Sequence, residues 1–241
     1  MNTIKLNAPK PLMIAHRGLS GLERENTCAA FIAAGNRSYF GIETDVHQTA
    51  DGKYVIIHDD TTTRVTGKEL VVEETELAVL RQLQVLDLHT DLPRGDLCLP
   101  TLDEYIAICK KYEKVAVLEL KNRMSAEAIK EIVEIVEQGG HLDNTIFISF
   151  SLENLIDLRE QFPQLTAQYL VSKIEDVDGL ICTLKQYRLE LDSRYTAVNE
   201  EIVAKMHDNG IKVNVWTVDS KEDAENLIRM GVDFITTNIL E

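Results

Sequence analysis

The chain has 241 residues, 44% of them hydrophobic, which is enough to bury a core as one large domain or as two small ones. Its formal net charge of -15 at pH 7 argues against non-specific nucleic-acid binding and against polybasic attachment to a membrane, because both need clustered Lys and Arg. No apolar run approaches the roughly 20 residues needed to span a bilayer, so we expect no stable membrane insertion.

The first predicted unit is a strand followed by a helix. The apolar run LMIAHR, residues 12–17, predicts the strand. TCAAFIAAGN, residues 27–36, predicts the helix, with Asn26 or Thr27 as its N-cap. The connection between them begins at the triplet HRG.

A hairpin and an insertion are predicted next. YFGIETDVHQTADGKYVIIHDD, residues 39–60, predicts a strand, a turn and an antiparallel return strand, because the Asp51-Gly52 pair is a strong hairpin signal. Residues 60–99 then break the pattern with threonines, a charged helix-like stretch and DLPRGD. We interpret them as an insertion that shapes the substrate pocket without carrying essential chemistry.

From Pro100 onwards, short β-branched runs alternate with segments whose apolar residues recur at helical spacing. Ser125 and Ser151 are predicted N-caps in this half, and Gly139 and Gly231 are predicted helix ends. The predicted strands are KVAVLEL from residue 114, NTIFISF from 144, TAQYL from 166, RLELD from 188, GIKVNVWTV from 210 and the end of DAENLIRMGVDFITT from 223.

Without the hairpin return, the pattern gives eight β segments separated by helices. Eight βα units in 241 residues suit a closed (β/α)₈ TIM barrel, an α/β fold with a typical size of about 250 residues. A doubly wound open sheet is the alternative. We therefore expect residues 1–241 to form a single barrel domain, with 60–99 as a small insertion after the second strand.

Polar residues stand where the predicted strands end. Active sites of barrels lie at the carboxyl ends of the strands, so these residues are the site candidates. They are His16 and Arg17, Glu43 and Asp45, His58, Glu119 and Lys121, and later Ser149, Gln168, Asp192 and Trp216.

The carboxylates suggest a metal site. Glu43 and Asp45 are two residues apart, so on a strand their side chains point to the same side. Two such carboxylates repel unless a cation or proton lies between them, and Glu119 offers a third oxygen from the neighbouring strand. Oxygen ligands suit Mg²⁺ or Ca²⁺ rather than Zn²⁺. The alternative is a solvated strand face, which the repeated pattern in LELK disfavours.

Two histidines differ from the others. His16 and His58 each end an apolar run, and a pair of imidazoles can divide acid and base duties because their unperturbed pKa is about 6.5. We expect surface or structural roles for His89, His141 and His207.

Three residues near the strand ends suit an anionic ligand. Arg17 offers a planar, always-charged fork for phosphate oxygens, with a surface ion pair as its alternative role, and Lys121 offers a point charge. Gly18 lets the backbone turn sharply and approach a ligand.

Trp216, the only tryptophan, has a core role and a ligand-stacking role as its alternatives.

Six short motifs occur in a fixed order between residue 12 and about residue 237. Together they resemble the glycerophosphodiester phosphodiesterase family, although each motif alone is weak. They are HRG at 16–18, ENT at 25–27, IETDV at 42–46, IHDD from 57, LELK at 118–121 and VNVWTV from 213.

The resemblance implies a TIM barrel with an inserted segment after the second strand. It also implies the site: a catalytic pair of His16 and His58, metal ligands Glu43, Asp45 and Glu119, phosphate contact by Arg17, and Lys121 within the site, to which we add Trp216 as a substrate-binding candidate.

Three residues depart from the family pattern. His47 stands where many relatives are expected to have Gln or Arg, and Glu23 and Arg24 add unusual charge, so we expect these departures to bear on substrate preference.

The implied reaction is hydrolysis of a glycerophosphodiester to sn-glycerol 3-phosphate and an alcohol. Its anionic electrophile needs a cation, here Mg²⁺ or Ca²⁺, and its leaving alkoxide needs a proton donor. Water and the neighbouring glycerol hydroxyl both remain candidates for the nucleophile.

Two other functions are the alternatives. A lysophospholipase D-like phosphodiesterase would dock on a membrane surface, which the net charge of -15 disfavours. A catalytically inactive barrel that binds a phosphorylated metabolite would lack a histidine or a carboxylate ligand, and none is lost here.

The four cysteines show no CxxC spacing and no signal peptide is evident, so we expect a reduced, cytoplasmic protein.

Overall fold

The computed structural model describes residues 2–6, 11–90 and 92–241. Strands alternate with helices along these ranges, as the sequence predicts. The strands are β1 (Leu12–Ala15), β2 (Gly41–Gln48), β3 (Tyr54–Ile56), β4 (Val115–Leu120), β5 (Thr145–Ser149), β6 (Thr166–Val171), β7 (Glu190–Arg194), β8 (Val213–Trp216) and β9 (Phe234–Thr237).

The sheet closes on itself. From β2 the parallel neighbours run β2-β4-β5-β6-β7-β8-β9-β1, and β1 also pairs with β2 through Ile14 with Gly41 and Ala15 with Ile42. Only β3 is antiparallel among the described strands, and it pairs with β2 across the predicted Asp51-Gly52 turn. A parallel sheet whose first strand pairs with both β9 and β2 is a barrel. The predicted TIM barrel is therefore confirmed, and the doubly wound alternative is wrong.

Helices connect the parallel strands and surround the barrel. Thr27 caps the first helix, accepting a hydrogen bond from the Ala30 amide, and Ser125 and Ser151 cap later helices as predicted. The helices are α1 (Cys28–Gly35), α2 (Thr63–Thr66), α3 (Leu77–Leu80), α4 (Leu102–Lys111), α5 (Ala126–Gln138), α6 (Leu152–Gln161), α7 (Val177–Tyr187), α8 (Glu200–Asp208) and α9 (Lys221–Met230). No helix within the described ranges is long and apolar enough to cross a membrane.

Several strands differ from their predicted bounds, and two of these differences have clear local reasons. The first stops at Ala15, because Arg17 adopts a left-handed φ of 54° that a strand does not allow, so the HRG triplet lies in the following turn. The RLELD strand begins only at Glu190, because Arg188 is left-handed, with a φ of 52°, and ends α7.

Alternation along the strands divides the apolar residues between two layers. One small cluster lies inside the barrel, and the larger cluster fills the space between the strands and the helices. Glu43, Asp45 and Glu119 follow the inward-facing positions of their strands, because Glu119 is two residues after the interior Val117 and pairs with Asp45. The interior cluster contains Ile14, Val117, Ile146, Ile148, Leu170 and Phe234.

Residues 60–99 pack around a separate apolar cluster. The segment contains the short helices α2 and α3 and a 3₁₀ turn at Val72–Glu74, without a strand in its described part. It packs against Val55 and Ile57 from the hairpin. The buried members of this second cluster are Val55, Ile57, Val65, Val72, Leu80, Leu83, Val85, Leu97 and Leu99.

Candidate active site

A cavity of about 150 Å³ opens at the carboxyl ends of the strands. Six of the eight side chains predicted for the site line it: His16, Arg17, Glu43, His58, Glu119 and Trp216. The other two, Asp45 and Lys121, lie directly behind its wall. The Lys121 Nζ atom is 3.0 Å from Glu119 Oε1 and 3.5 Å from Asp45 Oδ1.

The cavity has two unlike walls. The ionisable side chains from the loops and strands β1 to β4 form one wall, whereas Ile148, Phe150, Leu170 and Trp216 form the other. The rings of Phe150 and Trp216 meet edge to face, with centroids 5.6 Å apart. Such a cavity suits a ligand with an anionic centre and carbon-rich ends.

Asp192 also lines the cavity, although it is only 2% exposed. Burial and the charge of Glu119 raise the pKa of this carboxyl well above its usual range. Its Oδ1 atom and the Trp216 indole nitrogen are both buried without a hydrogen-bond partner.

Three carboxylates converge at the charged wall. Glu43, Asp45 and Glu119 are buried, and each offers an oxygen within 4.8 Å of those of the other two. Burial and the charge of Asp45 raise the pKa of Glu43 well above its usual range and that of Glu119 to about 7. Burial also opposes ionisation of Asp45, but nearby cations outweigh it and hold the pKa of this residue below its usual value.

This donor set fits a divalent cation. The Asp45 Oδ1 atom is buried and accepts no hydrogen bond, so it is free to ligate a metal. The cluster is entirely oxygen, which suits a hard ion such as Mg²⁺ or Ca²⁺. Glu43, Asp45 and Glu119 are therefore able to hold such an ion between them.

Arg17 is anchored from both its backbone and its side chain. Its amide donates a 2.7 Å hydrogen bond to Glu43 Oε2, and its Nη1 donates a 2.8 Å bond to Glu25 Oε1. Its Nε lies 3.5 Å from Asp45 Oδ2. The guanidinium therefore stands beside the carboxylates with its position fixed.

Asn26 orients the central carboxylate. Its Nδ2 donates a 2.7 Å hydrogen bond to Asp45 Oδ2, while its Oδ1 accepts one of 2.7 Å from Thr44 Oγ1. The sequence suggested only an N-cap role for Asn26 and no role for Glu25, although both belong to the ENT motif that carries part of the resemblance. The ENT motif was therefore the sequence signal from which a role for these two residues in the site could have been inferred.

The environment of His16 fixes its tautomer. Asn238 Nδ2 donates a 2.6 Å hydrogen bond to Asp219 Oδ2, so Asn238 Oδ1 faces the ring and accepts from His16 Nδ1 at 2.8 Å. The proton is thus on Nδ1, and Nε2 keeps its lone pair. Burial and Arg17 lower the pKa of His16 to about 4, so the ring is neutral at pH 7.

His58 has a charged partner instead. Its Nδ1 donates a 2.7 Å hydrogen bond to Asp59 Oδ1, and its side chain is 33% exposed. The pKa of His58 lies below its usual value, chiefly because of burial, although the charge of Asp45 and the hydrogen bond with Asp59 oppose that shift. A carboxylate beside Nδ1 stabilises an imidazolium, whereas the amide beside His16 carries no charge.

Several other candidates have structural contacts. Ser149 Oγ donates to the Leu120 carbonyl at 2.7 Å, and Gln168 Nε2 donates to Glu190 Oε2 at 2.9 Å. His141 contacts a backbone carbonyl and His207 pairs with Asp233, both away from the cavity, as expected.

The three residues that depart from the family pattern contact residues 60–99 and do not line the cavity. The Arg24 guanidinium donates to the carbonyls of Leu86 and Asp87, and Glu23 pairs with Arg94. The His47 ring is buried 3.1 Å from Glu73 Oε1. That these residues bear on substrate preference stays a prediction, and the contacts described above join them to the insertion and the hairpin.

That residues 60–99 shape the substrate pocket stays a prediction. No described residue of this segment lines the cavity. The segment reaches the edge of the site through Arg64, which bonds Glu25 and Asp59. Its insertion between β3 and α4 brings the side chain there, and nothing in its sequence pattern signalled this contact.

Replacing Gly18 with alanine is expected to destabilise the site. Gly18 has a φ of 77°, and an added Cβ would lie 2.7 Å from two atoms of Ala30. The left-handed backbone and the overpacking together should cost about 2 to 5 kcal/mol of the free energy of unfolding. Chemical denaturation measures that cost. The matched control is Gly52→Ala, where φ is 68° but no atom lies within 4 Å. Equal losses in the two variants would contradict the steric argument.

Known proteins share this architecture. The profile of the glycerophosphoryl diester phosphodiesterase family matches residues 16–241. A glycerophosphodiester phosphodiesterase of Caldanaerobacter subterraneus subsp. tengcongensis is 32% identical over 231 residues, or 95% of this chain and 94% of that protein.

Solved structures give the same result. The phosphodiesterase of Oleispira antarctica in complex with the product sn-glycerol-3-phosphate has a TM-score of 0.87 at 29% identity, covering 95% of this chain and 93% of that chain. A glycerophosphodiester phosphodiesterase of Thermotoga maritima has a TM-score of 0.77 at 25% identity, covering 96% of each chain.

Proposed function

This chain belongs to the glycerophosphoryl diester phosphodiesterase family and is a glycerophosphodiester phosphodiesterase, and from that premise we propose a metal-dependent, two-histidine hydrolysis. The products are sn-glycerol 3-phosphate and an alcohol. The observation that carries the proposal is one cavity wall on which His16, His58 and two of the three clustered carboxylates face the same space. The sn-glycerol-3-phosphate bound to the Oleispira phosphodiesterase supports a small-molecule glycerophosphodiester as the substrate.

Glu43, Asp45 and Glu119 would hold the cation, Mg²⁺ or Ca²⁺. A divalent ion bound there neutralises charge on the non-bridging phosphate oxygens. Asn26 keeps Asp45 turned towards the cluster, and the Arg17 amide does the same for Glu43. These contacts orient the carboxylates before any ligand arrives.

Arg17 binds the phosphate, and Lys121 supports that binding with its charge. Arg17 lines the cavity, and its anchored guanidinium presents N–H groups in a planar fork that matches phosphate oxygens. Lys121 lies between Glu119 and Asp45, and it adds positive charge behind the wall. The strongly acidic protein thus keeps positive charge where its substrate is anionic.

His16 acts as the general base and His58 as the general acid. The His16 ring is neutral, and its Nε2 lone pair is available to take a proton from the nucleophile. For the acid role, Nε2 of His58 must carry a proton when the substrate binds, and the Asp59 carboxylate beside Nδ1 stabilises that imidazolium against the effect of burial. The difference between an amide and a carboxylate partner supports this order.

The apolar wall binds the carbon atoms of the substrate. Trp216 and Phe150 form its aromatic part, and both line the cavity. A single domain over residues 1–241, with 60–99 as an insertion, stays a prediction, and it is supported by the separate apolar cluster on which the described part of the insertion packs. A cytoplasmic location stays a prediction from the sequence.

Release of sn-glycerol 3-phosphate tests the function directly. The purified protein is incubated with glycerophosphodiesters of choline, ethanolamine, glycerol and inositol, with and without Mg²⁺ or Ca²⁺. We expect metal-dependent release of sn-glycerol 3-phosphate from at least one of them. A lysophospholipid in mixed micelles is the parallel substrate, and preference for it would favour the lysophospholipase D-like alternative. Release of the phosphorylated head group instead would contradict the proposed bond cleavage.

A further inference from the structure

One arginine joins two acidic residues at the edge of the active site. Arg64 Nη1 and Nη2 donate to the two oxygens of Glu25, at 2.7 and 2.9 Å. Its Nε and Nη2 donate to the two oxygens of Asp59, at 2.7 and 3.0 Å. A single guanidinium therefore makes two bidentate pairs, one on each of its edges.

Each acid also holds a residue of the site. Glu25 Oε1 accepts from Arg17 Nη1 at 2.8 Å, and Asp59 Oδ1 accepts from His58 Nδ1 at 2.7 Å. Arg64 Nη2 donates to these same two oxygens. The contacts form a continuous chain from the phosphate-facing arginine to the histidine: Arg17, Glu25, Arg64, Asp59, His58.

The position of Arg64 is set by the insertion. It lies on α2, next to Val65, which is buried in the second cluster of residues 60–99. The Arg64 side chain is 44% exposed, and exposed ion pairs contribute little stability. Burial opposes ionisation of Glu25, but the hydrogen bonds from Arg64 and the charge of Arg17 lower the pKa of Glu25 to about 2. Glu25 is thus a charged acceptor for Arg17 at any physiological pH.

We propose that Arg64 is a positioning residue, which fixes Arg17 through Glu25 and His58 through Asp59 and so couples residues 60–99 to catalysis. The inference rests on the proposed function for the roles of Arg17 and His58. Without Arg64, Glu25 and Asp59 each lose two hydrogen bonds and keep only the one that joins each of them to Arg17 or His58. The phosphate contact and the proton donor then lose their fixed geometry together.

Two substrates separate this role from a structural one. In Arg64→Ala, kcat/KM on a glycerophosphodiester should fall about 10- to 100-fold, the size typical of losing an outer-shell partner. The loss should be smaller on a nitrophenyl phosphodiester, whose leaving group barely needs a proton from His58. Millimolar guanidinium should restore part of the activity, because the half-exposed site left by the side chain is open to solvent.

Arg94→Ala is the matched control. Arg94 lies on the same segment, and like Arg64 it pairs with more than one acid: Glu23, Asp87 and Asp96. None of these three acids contacts a proposed catalytic residue. We expect wild-type kinetics on both substrates and no effect of guanidinium. Equal losses in the Arg64 and Arg94 variants would overturn the proposal, because the effect would then come from the segment as a whole.

Arg64→Lys keeps the inference testable if the alanine variant does not fold. Lysine retains the charge but offers one nitrogen in place of the guanidinium fork. We expect this variant to lose less activity than Arg64→Ala, and again to lose more on the glycerophosphodiester than on the nitrophenyl phosphodiester. Unchanged kinetics would overturn the proposal. An inactive wild-type protein would instead refute the proposed function, so the two failures are distinguishable.

Discussion

Exhaustive removal of divalent ions is expected to abolish turnover, and adding Mg²⁺ or Ca²⁺ back is expected to restore it. The reason is the crowding of Glu43, Asp45 and Glu119, whose oxygens lie within 4.8 Å of one another in a buried site. Asp45→Asn should lower kcat/KM by about 10³-fold or more, since a metal supplies several kcal/mol of charge stabilisation.

Asp157→Asn is the matched control, because Asp157 pairs with Arg123 and does not line the cavity. Turnover and metal content are measured together for each preparation. Full activity in a protein shown to be free of metal would contradict the metal assignment.

The same cluster predicts how pH affects stability without metal. The pKa of Glu119 is raised to about 7 in the folded state, above its value of 4.5 in a model compound. The folded protein therefore binds this proton more tightly than the unfolded chain does. The resulting contribution to the free energy of unfolding is fully present below pH 4.5 and is lost as the pH rises through about 7. Added metal should consequently raise the melting temperature more at pH 8 than at pH 5, as thermal unfolding would measure.

The second large effect concerns the two histidines. His16→Ala is expected to lose about 10²- to 10⁴-fold in kcat on every substrate, because nucleophile activation is always needed. His58→Ala is expected to lose a similar factor on glycerophosphocholine but much less on a nitrophenyl phosphodiester. Its partner Asp59 stabilises a proton that only a poor leaving group requires.

His207→Ala is the control for this experiment. His207 also pairs with a carboxylate, Asp233, at 2.9 Å, but it lies outside the cavity, so its loss should leave both activities unchanged. All variants must be folded and loaded with metal before they are compared. The reverse pattern would exchange the two roles, and small, equal losses in both site variants would remove the histidines from the mechanism.

Local sequence patterns predicted much of the fold and of the charged wall. Strand alternation alone placed Glu43 and Asp45 on one face, and the parallel register then brings Asp45 opposite Glu119. The closed barrel followed from the count of βα units. Strand ends were predicted less well, because the left-handed backbone of Arg17 depends on how the turn packs against α1 and β2 rather than on its own residue type.

The supporting residues could not be predicted in the same way. Asn238 is 222 residues from His16 in the sequence, and only closure of the barrel by β1 and β9 brings them together. Arg64 lies in a segment that breaks the βα pattern, on a helix of only four residues, so nothing in the sequence indicated the direction of its side chain. Pairings of this kind depend on the path of a loop in three dimensions.

The second apolar cluster has a consequence for how the enzyme fails under stress. Residues 60–99 share an apolar core with Val55 and Ile57 of the hairpin, apart from the core of the barrel, so we expect this unit to open while the barrel keeps its structure. Such an opening would withdraw Arg64 and loosen the loop after β3 that carries His58. The free energy of that local opening, rather than the free energy of unfolding of the whole molecule, would then set the limit for catalysis. On warming, we expect activity to be lost while the helices and the parallel strands of the barrel are still intact.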